Sequence, residues 1–263
     1  MNKNPTKFPE LNRILNIFSE RLQTVLGGNL LGLYLQGSFV LGSGDLHSDV
    51  DFLAIIENDF DAEMVQKIEA MHQAIYDIYP QWSSHLEGSY FPRKLLTETF
   101  PNYTPIWYLD NGAKQLERST HDNDALVRWV TRERGIPLFG DAPATYIPEI
   151  PANALHQDIR HTMTEWGQEI VDKTYDINNL WAQPFAVIMY CRMLHTLATD
   201  VIDSKPAAVQ WGLDNLDSQW HDLIQTAWVM RPNPGQKVYQ QPPQDDIEQT
   251  IAFIQYAIDL SQA

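Results

Sequence analysis

The chain has 263 residues, 44% of them apolar, with eight Trp, eleven Tyr and ten Phe, which is enough for one large or two smaller hydrophobic cores. No apolar run approaches the roughly 18 residues of a membrane span, and the single Cys191 excludes an internal disulfide. A formal net charge of −16 with no Lys/Arg cluster argues against nucleic acid as a partner, because phosphate backbones are held through local cationic charge. An acidic cleft instead concentrates cationic small molecules such as a polyamine or an amino sugar, although acidity also serves plain solubility. The opening MNKNPTKFPEL lacks the apolar segment of a signal peptide, so a cytoplasmic location is expected.

In chain order, Phe8, Leu11, Ile14, Leu15, Phe18, Leu22, Val25 and Leu26 recur at helical steps and predict an amphipathic helix closed by Gly27-Gly28. Two apolar runs, Leu30 to Gln36 and Val50 to Ile56, are bounded by Gly, Ser and Asp and predict buried strands. Between them Gly37-Ser38 marks a turn. A helix is expected from Ala62 to Ile78, with His72 on its surface, then a strand from Ser83 to Phe91 that holds Glu87. This order is an α/β arrangement. A further helix near Asp122 carries Leu126, Val127, Trp129 and Val130 and stops at Gly135.

From Pro137 to Pro151 the chain is rich in Pro and poor in period, so a linker is expected there, with a domain boundary near 150. Beyond it lie helical patterns over Leu155 to Lys173, Pro184 to Val201, Pro206 to Leu216 and Ser218 to Met230, then Asp245 to Leu260. With strand signals scarce, residues 151–263 are expected to form a helical bundle and 1–150 a separate domain.

The chemistry gathers at the second strand. Side chains alternate along a strand, so Asp49 and Asp51 face the same way with Cα atoms about 6.6 Å apart. Two carboxylates aimed at one point suit Mg²⁺, which takes one or two protein carboxylates plus substrate phosphates. A solvated strand edge is the plainer reading, yet charges entering VDFLAII would be costly to desolvate without a cation or hydrogen bonds. Gly37 lets a backbone approach a phosphate closely, and Ser38 adds a hydroxyl donor. Glu87 is either an exposed strand residue or a third carboxylate, acting as metal ligand or general base.

In the second half, PFAVIMYCRMLHTLAT contains one formal charge, Arg192. An Arg in so apolar a helix calls for an anionic partner, either a carboxylate of the chain or a phosphate. Lys205 stands between Ser204 and Pro206, which predict a helix start, a place suited to a polyphosphate. The histidines show no HExxH spacing, which disfavours zinc, and no GxGxxG, Walker A or GxSxG motif is present.

Together GSFVLGSGDLHSDVDFLAII resembles the nucleotidyltransferase signature, a Gly-Ser turn followed by an Asp-x-Asp strand. YCRMLHTLATDVIDSKPAAVQWGLDNL resembles the helical domain of the streptomycin 3''-/spectinomycin 9-adenylyltransferases. The resemblance runs from about Leu30 to Leu216 and implies an α+β, polymerase-β-like N-terminal domain with a mixed sheet and an all-α C-terminal bundle. It also implies Mg²⁺ and ATP held by Ser38, Ser48, Asp49 and Asp51, with Glu87 as catalytic base and Arg192 and Lys205 reaching the phosphates across an interdomain cleft. The implied reaction is AMP transfer from ATP to a hydroxyl of an aminoglycoside, with release of pyrophosphate. Trp166, Asp172 and Asp176 lie near the family's substrate region, while Ala182 replaces a family Asp ten residues before Arg192. The implied acceptor is of the spectinomycin and/or streptomycin type, and that departure disfavours streptomycin while leaving spectinomycin or another hydroxylated amine open. The alternative reading is a nucleotide-binding regulatory or antitoxin-type protein that modifies or sequesters a protein partner. A catalytically dead binding module is disfavoured because all three carboxylates are present.

Overall fold

A computed structural model describes residues 4–97, 103–231 and 234–262. The chain divides into two compact units, Met1–Pro151 and Ala152–Ala263.

The first unit runs α1 (Pro9–Leu26), β1 (Leu30–Leu35), the one-turn α2 (Gly37–Val40), β2 (Val50–Ile56) and α3 (Ala62–Tyr76). It continues through α4 (Pro80–Ser83), β3 (Leu86–Pro92), α5 (Arg93–Leu96), β4 (Ile106–Leu109), β5 (Glu117–Ser119), α6 (Ala125–Arg134) and β6 (Ile136–Gly140). The six strands form one mixed sheet in the order β5-β4-β3-β2-β1-β6. The β2/β3 pair is parallel and the other pairs are antiparallel. A parallel pair needs a crossover, which α3 and α4 supply.

The period of two along β2 sorts the two faces. Val50, Phe52, Ala54 and Ile56 join Leu11, Ile14, Leu15 and Phe18 of α1 and Ile68, Met71 and Ile75 of α3 in the larger core. Leu53 and Ile55 point the other way, into a smaller cluster with Tyr34, Phe91, Ile106 and Ile147. Asp51 begins this second set, so the alternation that buries Leu53 and Ile55 also carries the carboxylate onto their face.

Three expectations are corrected in this unit. Ser83 ends the α4 turn, and the strand starts at Leu86. The Pro-rich stretch is not a linker at its start: Ile136–Gly140 pairs with β1 at the sheet edge, and edge strands are where a sheet tolerates proline. Ser19 Oγ donates to the Leu138 carbonyl at 3.3 Å, and Ile147 is fully buried. His72 is not on the helix surface but buried. Its Nε2 lies 2.5 Å from the Tyr90 hydroxyl, and its ring packs 5.4 Å from Phe18 and 6.0 Å from Phe52 between centroids. Burial pushes its pKa down to about 3.

The second unit consists of α7 (Ala152–Val171), α8 (Ala182–Thr199), α9 (Lys205–Asn215), α10 (His221–Met230), the short α11 (Pro234–Lys237) and α12 (Gln244–Gln262). No strand occurs among its described residues. The expected helix over Ser218 to Met230 opens as a 3-10 turn before α10. Helix α8 is apolar nearly all round and packs against α7, α9, α10 and α12, the placement that such a pattern demands. Gly167 makes the approach of α7 possible: a Cβ there would come within 2.6 Å of Ile258 Cδ1 and 2.9 Å of the Tyr190 hydroxyl. That hydroxyl donates to the Met163 carbonyl at 2.6 Å.

Candidate active site

At the end of β1, the Gln36 N–H donates to the Asp51 carbonyl at 2.9 Å, tying the start of α2 to the strand that carries the acids. Gly37 then turns with φ of 63°, and a Cβ at this position would overlap the Asp51 carboxylate. Only glycine meets both demands. The next residue, Ser38, has a buried hydroxyl with no hydrogen-bond partner, an arrangement that is costly unless a ligand completes it.

The loop before β2 is braced internally. Ser48 Oγ donates to Asp45 Oδ1 at 3.1 Å and accepts the Asp45 N–H at 3.0 Å, so the Ser48 hydroxyl is engaged within its own turn. Asp49 follows, and its Oδ1 accepts from Asn111 Nδ2. Asp51 and Glu87 are direct register partners on the parallel β2/β3 pair, so their side chains rise side by side from one face. The sheet thereby joins acids that are far apart along the chain.

The Glu87 carboxyl is strongly perturbed. Burial is the largest cause and pushes its pKa up to about 7 against the Tyr108 hydrogen bond, while the charges of Asp49, Asp122 and Asp110 push the same way as burial. The Tyr108 hydroxyl donates to Glu87 Oε1, and His121 Nε2 stands 3.7 Å from the same oxygen. Behind them Ser89 Oγ donates to the buried Asp122 at 2.7 Å. Burial raises the Asp122 pKa as well.

Among the described residues no three His, Cys, Asp or Glu side chains form a metal-binding group. Asp49, Asp51 and Glu87 therefore share a strand end without forming a three-carboxylate cage. Asp49 and Asp51 retain the hard oxygen donors that Mg²⁺ takes, one or two carboxylates with phosphates completing the shell, and the orphaned Ser38 hydroxyl beside them suits a phosphate oxygen. The residues present fit a magnesium nucleotide.

In the second unit, Arg192 is half-buried on α8, and its Nε donates to the Asp203 carbonyl at 2.8 Å. At Nε, then, the partner is a backbone oxygen. This bond leads into the cap of α9, where Ser204 Oγ accepts the Ala207 N–H at 3.4 Å. Lys205 opens that helix with Nζ 5.1 Å from the Phe185 ring centre. Arg192 and the α9 start are therefore brought together. Trp166 stacks on Tyr190 with 5.5 Å between centroids, a packing role, while Asp172 and Asp176 are exposed. Ala182 is buried at the start of α8.

Sequence reading misses Tyr108, Asn111 and His121. Tyr108 sits on β4, a four-residue strand, and the other two lie in loops. The one local signal was the aromatic pair Trp107-Tyr108 inside IWYL.

Residues 145–258 match the family described as aminoglycoside adenylyltransferase, C-terminal domain. Spectinomycin 9-adenylyltransferase of Campylobacter jejuni is 24% identical over 236 residues, 85% of each chain. An aminoglycoside (3'') (9) adenylyltransferase of Klebsiella pneumoniae is 23% identical, covering 82% of this chain and 81% of its own. A spectinomycin adenyltransferase from Enterococcus faecialis, crystallised with ATP and spectinomycin, shares the fold with a TM-score of 0.69 at 16% identity, over 94% of this chain and 98% of its own. The family match spans nearly all of the second unit, and the similarity to the adenylyltransferase relatives extends into the first.

Proposed function

We propose that this protein transfers AMP from ATP to a hydroxyl of an aminoglycoside-like acceptor and releases pyrophosphate, with spectinomycin as the acceptor class. The observation that carries the reading is the pairing of Asp51 with Glu87 on adjacent parallel strands, beside the Gly37-Ser38 turn. The names of the relatives support the same chemistry.

In this reading Asp49 and Asp51 hold magnesium, and Ser38 donates to a phosphate oxygen. Bound there, magnesium would supply charge neutralisation at the phosphates. Glu87 takes the proton of the acceptor hydroxyl as its oxygen bonds to the α-phosphorus of ATP, and the bond to pyrophosphate breaks. A pKa raised toward neutrality favours that role, because a base works best when its pKa lies near the working pH. Glu87 is thus assigned as base ahead of metal ligand, since Tyr108 already occupies one of its oxygens. Arg192 and Lys205 serve the polyphosphate from the second unit, Arg192 through its fork of donors. Ser48 acts on the nucleotide by holding the Asp45 turn ahead of Asp49, or by exchanging that bond for one to a ligand. Ala182, where the family places an Asp, disfavours streptomycin.

The test is pyrophosphate release by purified protein with Mg-ATP and either spectinomycin or streptomycin. Turnover with spectinomycin and little with streptomycin is the expected result. No release with any aminocyclitol would refute the substrate class.

A further inference from the structure

We infer that Tyr108 is the positioning residue of the base, fixing the Glu87 carboxylate so that one oxygen is held and the other is presented to the acceptor hydroxyl. This inference rests on the transferase reading above.

Strand β4 lies antiparallel to β3 with Tyr108 opposite Ser89. Register partners share a face, and so do residues two apart on one strand, so Tyr108, Ser89, Glu87 and Asp51 all rise from the same side of the sheet. From that place the Tyr108 hydroxyl donates to Glu87 Oε1. The phenol has a single proton to give, and its distance to Asp110 Oδ1, 3.4 Å, marks the weaker alternative. The ring is held in turn: it is almost wholly buried and packs against His121 with 5.1 Å between centroids. A glutamate alone keeps three side-chain torsions. A rigid donor on the neighbouring strand removes that freedom at one oxygen, and orientation of a reacting group is where enzymes gain much of their rate. Asn111, two residues beyond β4, does the equivalent for Asp49 by donating to its Oδ1. One strand and the loop behind it thus orient both an expected metal ligand and the expected base.

The test is a double-mutant cycle with Mg-ATP and spectinomycin, read by transfer of radiolabelled AMP. Tyr108→Phe keeps the ring and its packing, so its thermal midpoint should match the wild type. Its kcat should fall about 10- to 100-fold, the scale of a loosened orientation at the reacting group, with KM for ATP unchanged. In a Glu87→Gln background the same change should have no further effect on kcat. In parallel, the tyrosine ¹³Cζ resonance assigned to Tyr108 should move on Glu87→Gln. Full kcat in Tyr108→Phe, additive losses in the cycle, or an unmoved resonance would each overturn the inference while leaving the transferase reading intact. A wild-type protein that transfers no AMP would overturn that reading and this inference with it.

Discussion

His72 gives the first unit a built-in sensitivity to acid. Its ring is buried among Phe18, Phe52 and Tyr90, and its pKa falls from the ordinary 6.5 to about 3. The folded state therefore keeps His72 neutral over a window in which the unfolded chain binds a proton. Stability from this group is fully present above about pH 6.5, declines as pH falls, and is exhausted near pH 3, with a slope of about 1.4 kcal/mol per pH unit in between. Integrated from pH 6 to pH 4, with the gradual onset near 6.5 included, the loss is about 2–3 kcal/mol. His72→Gln retains a polar group for the Tyr90 hydroxyl and cannot titrate. The variant starts less stable, but the gap to the wild type should close by about 2–3 kcal/mol between pH 6 and pH 4. Urea unfolding followed by amide exchange in β2 and β3 peptides reads the first unit by itself, and linear extrapolation gives the free energies. Carboxylate titrations are common to both proteins and cancel in the difference. A gap that stays constant to within about 0.5 kcal/mol, the ordinary scatter of additivity, would refute the reasoning.

Glu87→Gln removes the base and should lower kcat by about 10²- to 10⁴-fold while ATP binding by calorimetry stays within a few-fold of wild type. Gly37→Ala asks an L-residue to hold φ of 63° and to place a methyl on the Asp51 carboxylate. It should cost about 1–2 kcal/mol in backbone strain alone and abolish most turnover, whereas Gly28→Ala, with open space at its Cβ, serves as the silent control. Arg192→Ala should weaken ATP binding about 10- to 100-fold, the value of a charge-assisted bond to phosphate, as read by calorimetry.

Where local pattern and tertiary structure agree, the chain is legible from its residues. LLGLYL and VDFLAII are strands because short apolar runs stop at Gly, Ser and Asp, and α9 starts where Ser204 and Pro206 require. Strand β5 escapes notice because ERS is three largely exposed residues with no period. Strand β6 escapes because Pro137 and Pro143 mimic a linker, and its pairing with β1 is a long-range fact. His72 stands at helical spacing from Ile68 and Ile75, a signal outweighed by the general habit of histidine to lie outside. In the site, Asp49 and Asp51 announce themselves through their strand. The partnership of Asp51 with Glu87 depends on crossover register, and Tyr108 and Asn111 arrive through a weak strand and its loop, so no local pattern could supply them.

The parallel β2/β3 pair also sets when this site can come into being. All of α3 and α4 must close before Asp51 and Glu87 meet, and such non-local closure is paid in chain entropy before contacts return it. A chain in which that crossover is open therefore keeps the two carboxylates apart. Their adjacency is imposed by the finished sheet, so the candidate site exists only while the β2/β3 pairing holds.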